Sequence, residues 1–205
     1  MKQMPLRTIG RAIGLGLCVL LCGSCGTAVR QGRASSYLVI DSLQAAPGAS
    51  TTFTTVLASD VRTKGSVYQD NGQVVLHFSM KDVTSPTGAT TNNEITVTGY
   101  HVTFIRADGR NTPGVDVPYA FDGAVTGTVK EGLSATLTFA LVRAQAKVEP
   151  PLVALVSTSS SPYGGGALII STIAEVTFYG HDQVGNQVSV TGTISVNFAD
   201  WADPD

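Results

Sequence analysis

The stretch QVSVTGTISVNFA, residues 187–199, sets Val188, Val190, Gly192, Ile194, Val196 and Phe198 on one parity and Gln187, Ser189, Thr191, Thr193, Ser195 and Asn197 on the other. Period two held this long makes a strand with one dry and one wet side. The pattern recurs in YLVIDSL from Tyr37, TFTTVLAS from Thr52 and QVVLHFSMKD from Gln73. In the last of these, Val74, Leu76, Phe78 and Met80 share a face and His77 points the other way. Beyond the first 24 residues no run of ten or more carries a helical apolar stripe. Parallel folds that need helical crossovers are thereby excluded, and half-apolar strands of this kind are buried by packing antiparallel sheets face to face. Residues 37–205 are expected to form one all-β antiparallel sandwich of about ten strands. Pro150-Pro151 is the best candidate for a division within it.

Several segments need closer reading. In EITVTGYHVTFI, Ile95 and Val97 lie on one parity and Tyr100, Val102 and Phe104 on the other. An extra residue near Gly99, as in a β-bulge, returns all five to one face; two strands with a corner at Gly99 is the alternative. AVTGTVKEGLSATLTFALVRA reads as a hairpin turning at Lys130, Glu131 and Gly132, and its second arm is apolar enough for a central strand. VPYAF is a short segment between turns, and LVALVS follows the proline pair as a strand. In LIISTIAEVTFYG, Ile169 and Ile173 compete in parity with Ala174, Val176 and Phe178, so its middle has room for a bulge. STSSSPYGGG, residues 157–166, has no apolar period and reads as a loop.

The amino terminus is of another kind. Lys2, Arg7 and Arg11 precede the uncharged run AIGLGLCVLLC, and small Gly23 and Ser24 stand before Cys25. A basic start, a short apolar stretch and a small-residue site make an export signal, too short to span a bilayer. All three cysteines, Cys18, Cys22 and Cys25, lie here. A mature chain that keeps only Cys25 has no internal disulfide, and its thiol needs a covalent fate in an oxidising compartment. LCGSC resembles the lipobox of bacterial lipoproteins, with Cys22 where that pattern has leucine. The resemblance implies cleavage before Cys25, a lipid-modified Cys25, and a membrane-tethered protein of the cell envelope. With Gly26 after the cysteine, it implies the outer membrane where the host has one. The expected division is a signal peptide over 1–24, a tether over 25–36 and the sandwich over 37–205. Cleavage leaves 10 Lys and Arg against 15 Asp and Glu, a net charge of −5, which opposes nucleic-acid binding.

VTFIRADGRN from Val102 and VTFYGHDQVGN from Val176 are both alternating strands running into turns with Asp and Gly. The second, continuing into VSVTGTISV, resembles the closing hairpin of bacterial immunoglobulin-like and fibronectin type III-like domains. The resemblance implies an immunoglobulin-like sandwich whose turn uses Asp182, Gly185 and Asn186. The antibody pattern of paired cysteines about a core tryptophan is missing, since Trp201, the only tryptophan, follows the last strand.

Catalytic constellations are not found. His77, His101 and His181 lack zinc-ligand spacing, and no Gly-x-Ser-x-Gly elbow or phosphate loop occurs. Asp60, Asp70, Asn71, Asp108, Asp122, Asp182 and Asn186 sit where turns are expected, but none has EF-hand spacing, so no metal or cofactor is expected. The chain is expected to be a noncatalytic, lipid-anchored envelope protein that presents its sandwich to envelope or surface proteins or serves a structural role. The alternative is a carbohydrate- or small-ligand-binding module with Tyr119, Tyr163, Tyr179 and Trp201 as an aromatic platform. The alternation at residues 188–198 puts the Phe198 ring in the core, and Phe198→Ala is expected to lower stability by about 3–5 kcal/mol in denaturant unfolding.

Overall fold

A computed structural model describes residues 32–48, 50–84, 88–156 and 168–201. Eight strands account for its core: β1 (Ser36–Ala46), β2 (Val56–Asp60), β3 (Asp70–Met80), β4 (Ile95–Ile105), β5 (Phe121–Val129), β6 (Ala135–Val142), β7 (Ile170–Asp182) and β8 (Gln187–Ala199). They form two sheets, β1-β3-β6 and β2-β8-β7-β4-β5, packed face to face as a β-sandwich. Neighbours pair antiparallel except β2, which runs parallel to β8 from Val56↔Ser195 to Asp60↔Ala199. Packing starts ahead of Tyr37, since Ala34 and Ser36 are both buried.

Faces follow parity. In β8, Val188, Ile194, Val196 and Phe198 are buried, while Gly192 leaves room for β1: a Cβ there would stand 2.7 Å from Ile40 Cδ1. The bulge expected near Gly99 is present. Between Val97↔Gly180 and Gly99↔Tyr179, Thr98 has no partner on β7, so Ile95, Val97, Tyr100, Val102 and Phe104 all face the core and are buried. Tyr100 then reaches across the sandwich. Its ring lies 5.0 Å from that of Phe139 on β6, Phe139 lies 5.1 Å from Phe178 on β7, and the Tyr100 hydroxyl accepts the Ala140 amide at 3.2 Å. Each such aromatic pair adds about 0.5–1.5 kcal/mol beyond its buried area.

The crossing, edge and turn regions differ from expectation. β5 and β6 are not a hairpin: the turn at residues 130–134 carries the chain from one sheet to the other, and Leu137 packs over Gly127 instead of pairing beside it. β6 is therefore an edge strand, with Thr136 and Thr138 exposed on its outer side. LVAL, residues 152–155, is a 3₁₀ turn following the short helix α1 (Ala144–Lys147), and VPYAF contributes only its Phe121 to a strand. β7 pairs with β8 from Ile170 to His181 in unbroken register, so Ile173 turns outward, half-exposed, and no bulge is needed.

Among the described residues one ion pair is fully buried. Lys147 at the end of α1 and Asp70 at the start of β3 are both buried and meet at 2.8 Å. Asp70 Oδ1 also accepts the Gly48 amide at 2.8 Å, and its Oδ2 accepts the Ser59 hydroxyl at 2.6 Å. Burial pushes the Asp70 carboxyl up, against the pull of Lys147 and of the Ser59 and Gly48 donors toward ionisation. Removing one partner of such a pair strands a buried charge. Lys147→Met is expected to cost about 3–5 kcal/mol. A double-mutant cycle with Asp70→Asn, read by denaturant unfolding, should show strong coupling between the two positions.

Candidate functional site

Of the four expected platform residues, Tyr179 and Trp201 stand far apart. Tyr163, like Cys25, lies outside the described residues. Tyr179 is on the outer face of β7 opposite Ser189, whereas Trp201 follows β8 and donates its amide to Asp60 at 3.1 Å. The strand from Ser189 to Ala199 alone separates them by about 33 Å. Tyr119 stands in the connection before β5, its ring against Gly114.

Two clusters that combine aromatic and polar side chains stand out, one on the sheet face and one in a cleft. The first surrounds Tyr179. Its ring lies over Gly99, where a Cβ would come within 2.7 Å of Cε2, so the bulge glycine seats the ring on the sheet. The hydroxyl donates to the Tyr100 carbonyl at 3.3 Å and approaches Asp122 Oδ1 at 3.5 Å. Desolvation, and then the Asp122 charge, push this hydroxyl above the ordinary tyrosine range. On β4, His101 places Nδ1 2.9 Å from Asp122 Oδ1 and Nε2 3.0 Å from the Thr103 hydroxyl. A hydroxyl, an imidazole and a carboxylate in this order match the connectivity of a nucleophile, its base and the group that orients the base. Thr103 pairs with Glu175 on β7, and the ladder between β4 and β5 ends at Val102 opposite Phe121.

The concave site is a cleft of about 340 Å³ where the chain enters β5 and leaves β6. Tyr119 and Phe121 form one wall, and Arg143, Gln145, Glu149 and Pro150 face them. The Arg143 guanidinium lies 3.8 Å from the Phe121 ring centroid and donates to the Asp122 carbonyl at 2.7 Å. Gln145 Nε2 donates to Glu149 Oε1 at 2.8 Å. Of these residues sequence singles out Tyr119 for a site and Pro150 only as a break in the chain. Phe121, Arg143 and Glu149 are brought together by the β5–β6 crossing, and no local pattern announces it.

The remaining polar residues have structural work. On β1 a register shift at Asp41 turns its carboxylate to His77 Nδ1 at 2.6 Å, where it also accepts the Ser134 hydroxyl at 3.2 Å. Asp182 is buried at the β7–β8 turn. Its Oδ1 accepts the amides of Val184 and Asn186 at 3.0 and 2.8 Å, and its Oδ2 accepts Asn186 Nδ2 at 2.8 Å. Gly185 takes φ 91° there, so Asp182, Gly185 and Asn186 do the turn work expected of them. His181 beside them is exposed, with Nδ1 3.0 Å from the Asp182 carbonyl. Asp108 is clamped by Arg106 and Arg110, whose hydrogen bonds hold its carboxyl well below the usual range. Among the described residues no three His, Cys, Asp or Glu side chains converge on a common point.

No family model, curated protein or solved structure matches this chain. Asp182→Ala is expected to destabilise the fold by about 1–3 kcal/mol, because it removes the carboxylate that accepts the Val184 and Asn186 amides and Asn186 Nδ2. Amide hydrogen exchange should show the loss first in residues 180–188.

Proposed function

We propose that this chain is a noncatalytic, lipid-anchored protein of the bacterial cell envelope that presents an immunoglobulin-like sandwich for contact with another protein. The observation that carries the reading is the outer face of the five-stranded sheet. On it β8 presents Ser189, Thr191, Thr193 and Ser195, β7 presents Thr177, and β4 and β5 present Thr96, Thr98, Thr126 and Thr128. The strands place no Lys or Arg on this face, and its acids are Asp122, Glu175 and, at the corner, Asp60. An ordinary solvated surface is about a quarter to a third charged. Short hydroxylated side chains lose little entropy when they are covered, and here they are already paired: Thr177 with Thr191 at 2.8 Å, Thr96 with Thr128 at 3.2 Å. At one end the face becomes apolar, where half-exposed Val56 and Ile173 flank Ser195.

The strand order supports the immunoglobulin-like reading. Naming the strands A, A′, B, C, C′, E, F and G in chain order puts A-B-E against A′-G-F-C-C′, the arrangement expected of such domains once A′ pairs with G. Anchoring rests on LCGSC and on Cys25 as the one cysteine left after cleavage. A lipid on Cys25 tethers the body outside the cytoplasmic membrane, on the outer membrane where the host has one.

Photo-crosslinkers placed in cells at Thr193, on this face, and at Thr138, on the opposite sheet, test the reading. The expected result is one protein captured repeatedly through Thr193 and not through Thr138; equal capture from both, or none, would remove the assignment. Cys25→Ser is expected to abolish the acyl mass on the mature protein and release it from membranes, and an intact Cys25 thiol in the native protein would refute anchoring.

A further inference from the structure

We propose that the cleft between the start of β5 and α1 is a saccharide-binding site that takes a neutral sugar ring against Tyr119. It is separate from the sheet face assigned to protein contact, and its charges are held in an unusual state. Arg143 and Glu149 line the same small cleft, yet no ion pair joins them, and neither has an ion-pair partner among the described residues. Each is held by something else, Arg143 by the Phe121 ring and the Asp122 carbonyl, Glu149 by the Gln145 amide. A fixed donor and a fixed acceptor therefore stand apart in one concavity with an apolar wall.

The chemistry of the occupant follows. An anion drawn to Arg143 meets the Glu149 carboxylate, and a cation drawn to Glu149 meets Arg143, so net charge gains nothing here. A neutral ligand that donates and accepts at neighbouring positions satisfies both, which is what adjacent sugar hydroxyls do. Bonds of such hydroxyls to ionised groups are the stronger kind. The opposite requirement, an apolar ring face, matches Tyr119, which is 59% exposed. A cleft of about 340 Å³ is at the lower end of small-ligand sites, so it holds one or two rings of a longer glycan and not the whole chain. Because the groups are anchored before any ligand arrives, little ordering opposes binding.

The test is calorimetric titration of the full-length protein with maltotetraose, cellotetraose, chitotetraose and mannotetraose, and with glycine and phenylalanine as zwitterions that would also bridge Arg143 and Glu149. The expected result is measurable binding of at least one tetrasaccharide, weakened about tenfold or more by Tyr119→Ala and by Glu149→Gln. Melting temperature is read on each variant to confirm that the fold is kept, and a shift of the Arg143 Nε–H resonance on titration places the sugar. Binding by none of the tetrasaccharides overturns the proposal. So does sugar binding that survives both substitutions, or binding of the zwitterions in place of the sugars. Crosslinking through Thr193 is independent of every one of these outcomes.

Discussion

The buried Asp70–Lys147 pair is the point on which the arrangement of the sandwich turns. Asp70 opens the middle strand of the smaller sheet, Ser59 belongs to the first strand of the larger one, Gly48 lies in the connection between β1 and β2, and Lys147 ends the helix after β6. One carboxylate thus receives donors from three other segments of the chain. Apolar packing alone is tolerant of sliding, because one methyl contact replaces another at little cost. A buried carboxylate with three donors has one satisfied arrangement, since every alternative leaves a charge or an amide without a partner in a low dielectric. The position of α1 is set this way, and with it the cleft, whose Gln145 is on the helix and whose Arg143 and Glu149 flank it.

A second constraint is geometric. The additional residue at Thr98 moves β4 by one parity, so Tyr100 faces inward and Gly99 lies beneath Tyr179. The same displacement serves both sides of the sheet. Inside, Tyr100 joins β4 to the Phe139 ring and the Ala140 amide of the facing sheet. Outside, the missing side chain at Gly99 gives the Tyr179 ring a bed, and His101 falls opposite Asp122. A regular β4 would have put Tyr100 into solvent, and the aromatic contact between the sheets would be lost.

Features with a local cause are readable in the chain. The inward row of β8, the bulge near Gly99 and the Asp182 turn all arise within a few residues of one another, and alternation or turn chemistry marks each of them. Allocation of strands to sheets is different. The five residues joining β5 to β6 suit a hairpin as well as a crossing, and what decides is the fit of Leu137 over Gly127 and of Phe139 against Tyr100, contacts made only after the sheets have met. Parallel pairing of β2 is equally silent, because its five residues alternate in the same way with either neighbour orientation. Ile173 misleads because parity scores an exposed isoleucine as a conflict, while the ladder with β8 simply leaves it outside. Lys147 and Asp70 are 77 residues apart, and a lysine in a four-residue helix carries no mark of burial. The cleft is hidden for the same reason: its walls come from opposite ends of a crossing that sequence reads as a hairpin.

The parallel partnership of β2 and β8 also decides how the fold carries load. In a parallel pair the entering end of one strand and the leaving end of the other lie at opposite extremes. Tension between the two ends of the chain would therefore slide β2 along β8. Five rows, from Val56 beside Ser195 to Asp60 beside Ala199, would resist together. An antiparallel closure at this position would be opened one row at a time from its end. For any force that reaches β2, the orientation of five residues separates a closure that unzips from one that holds until all five rows give way.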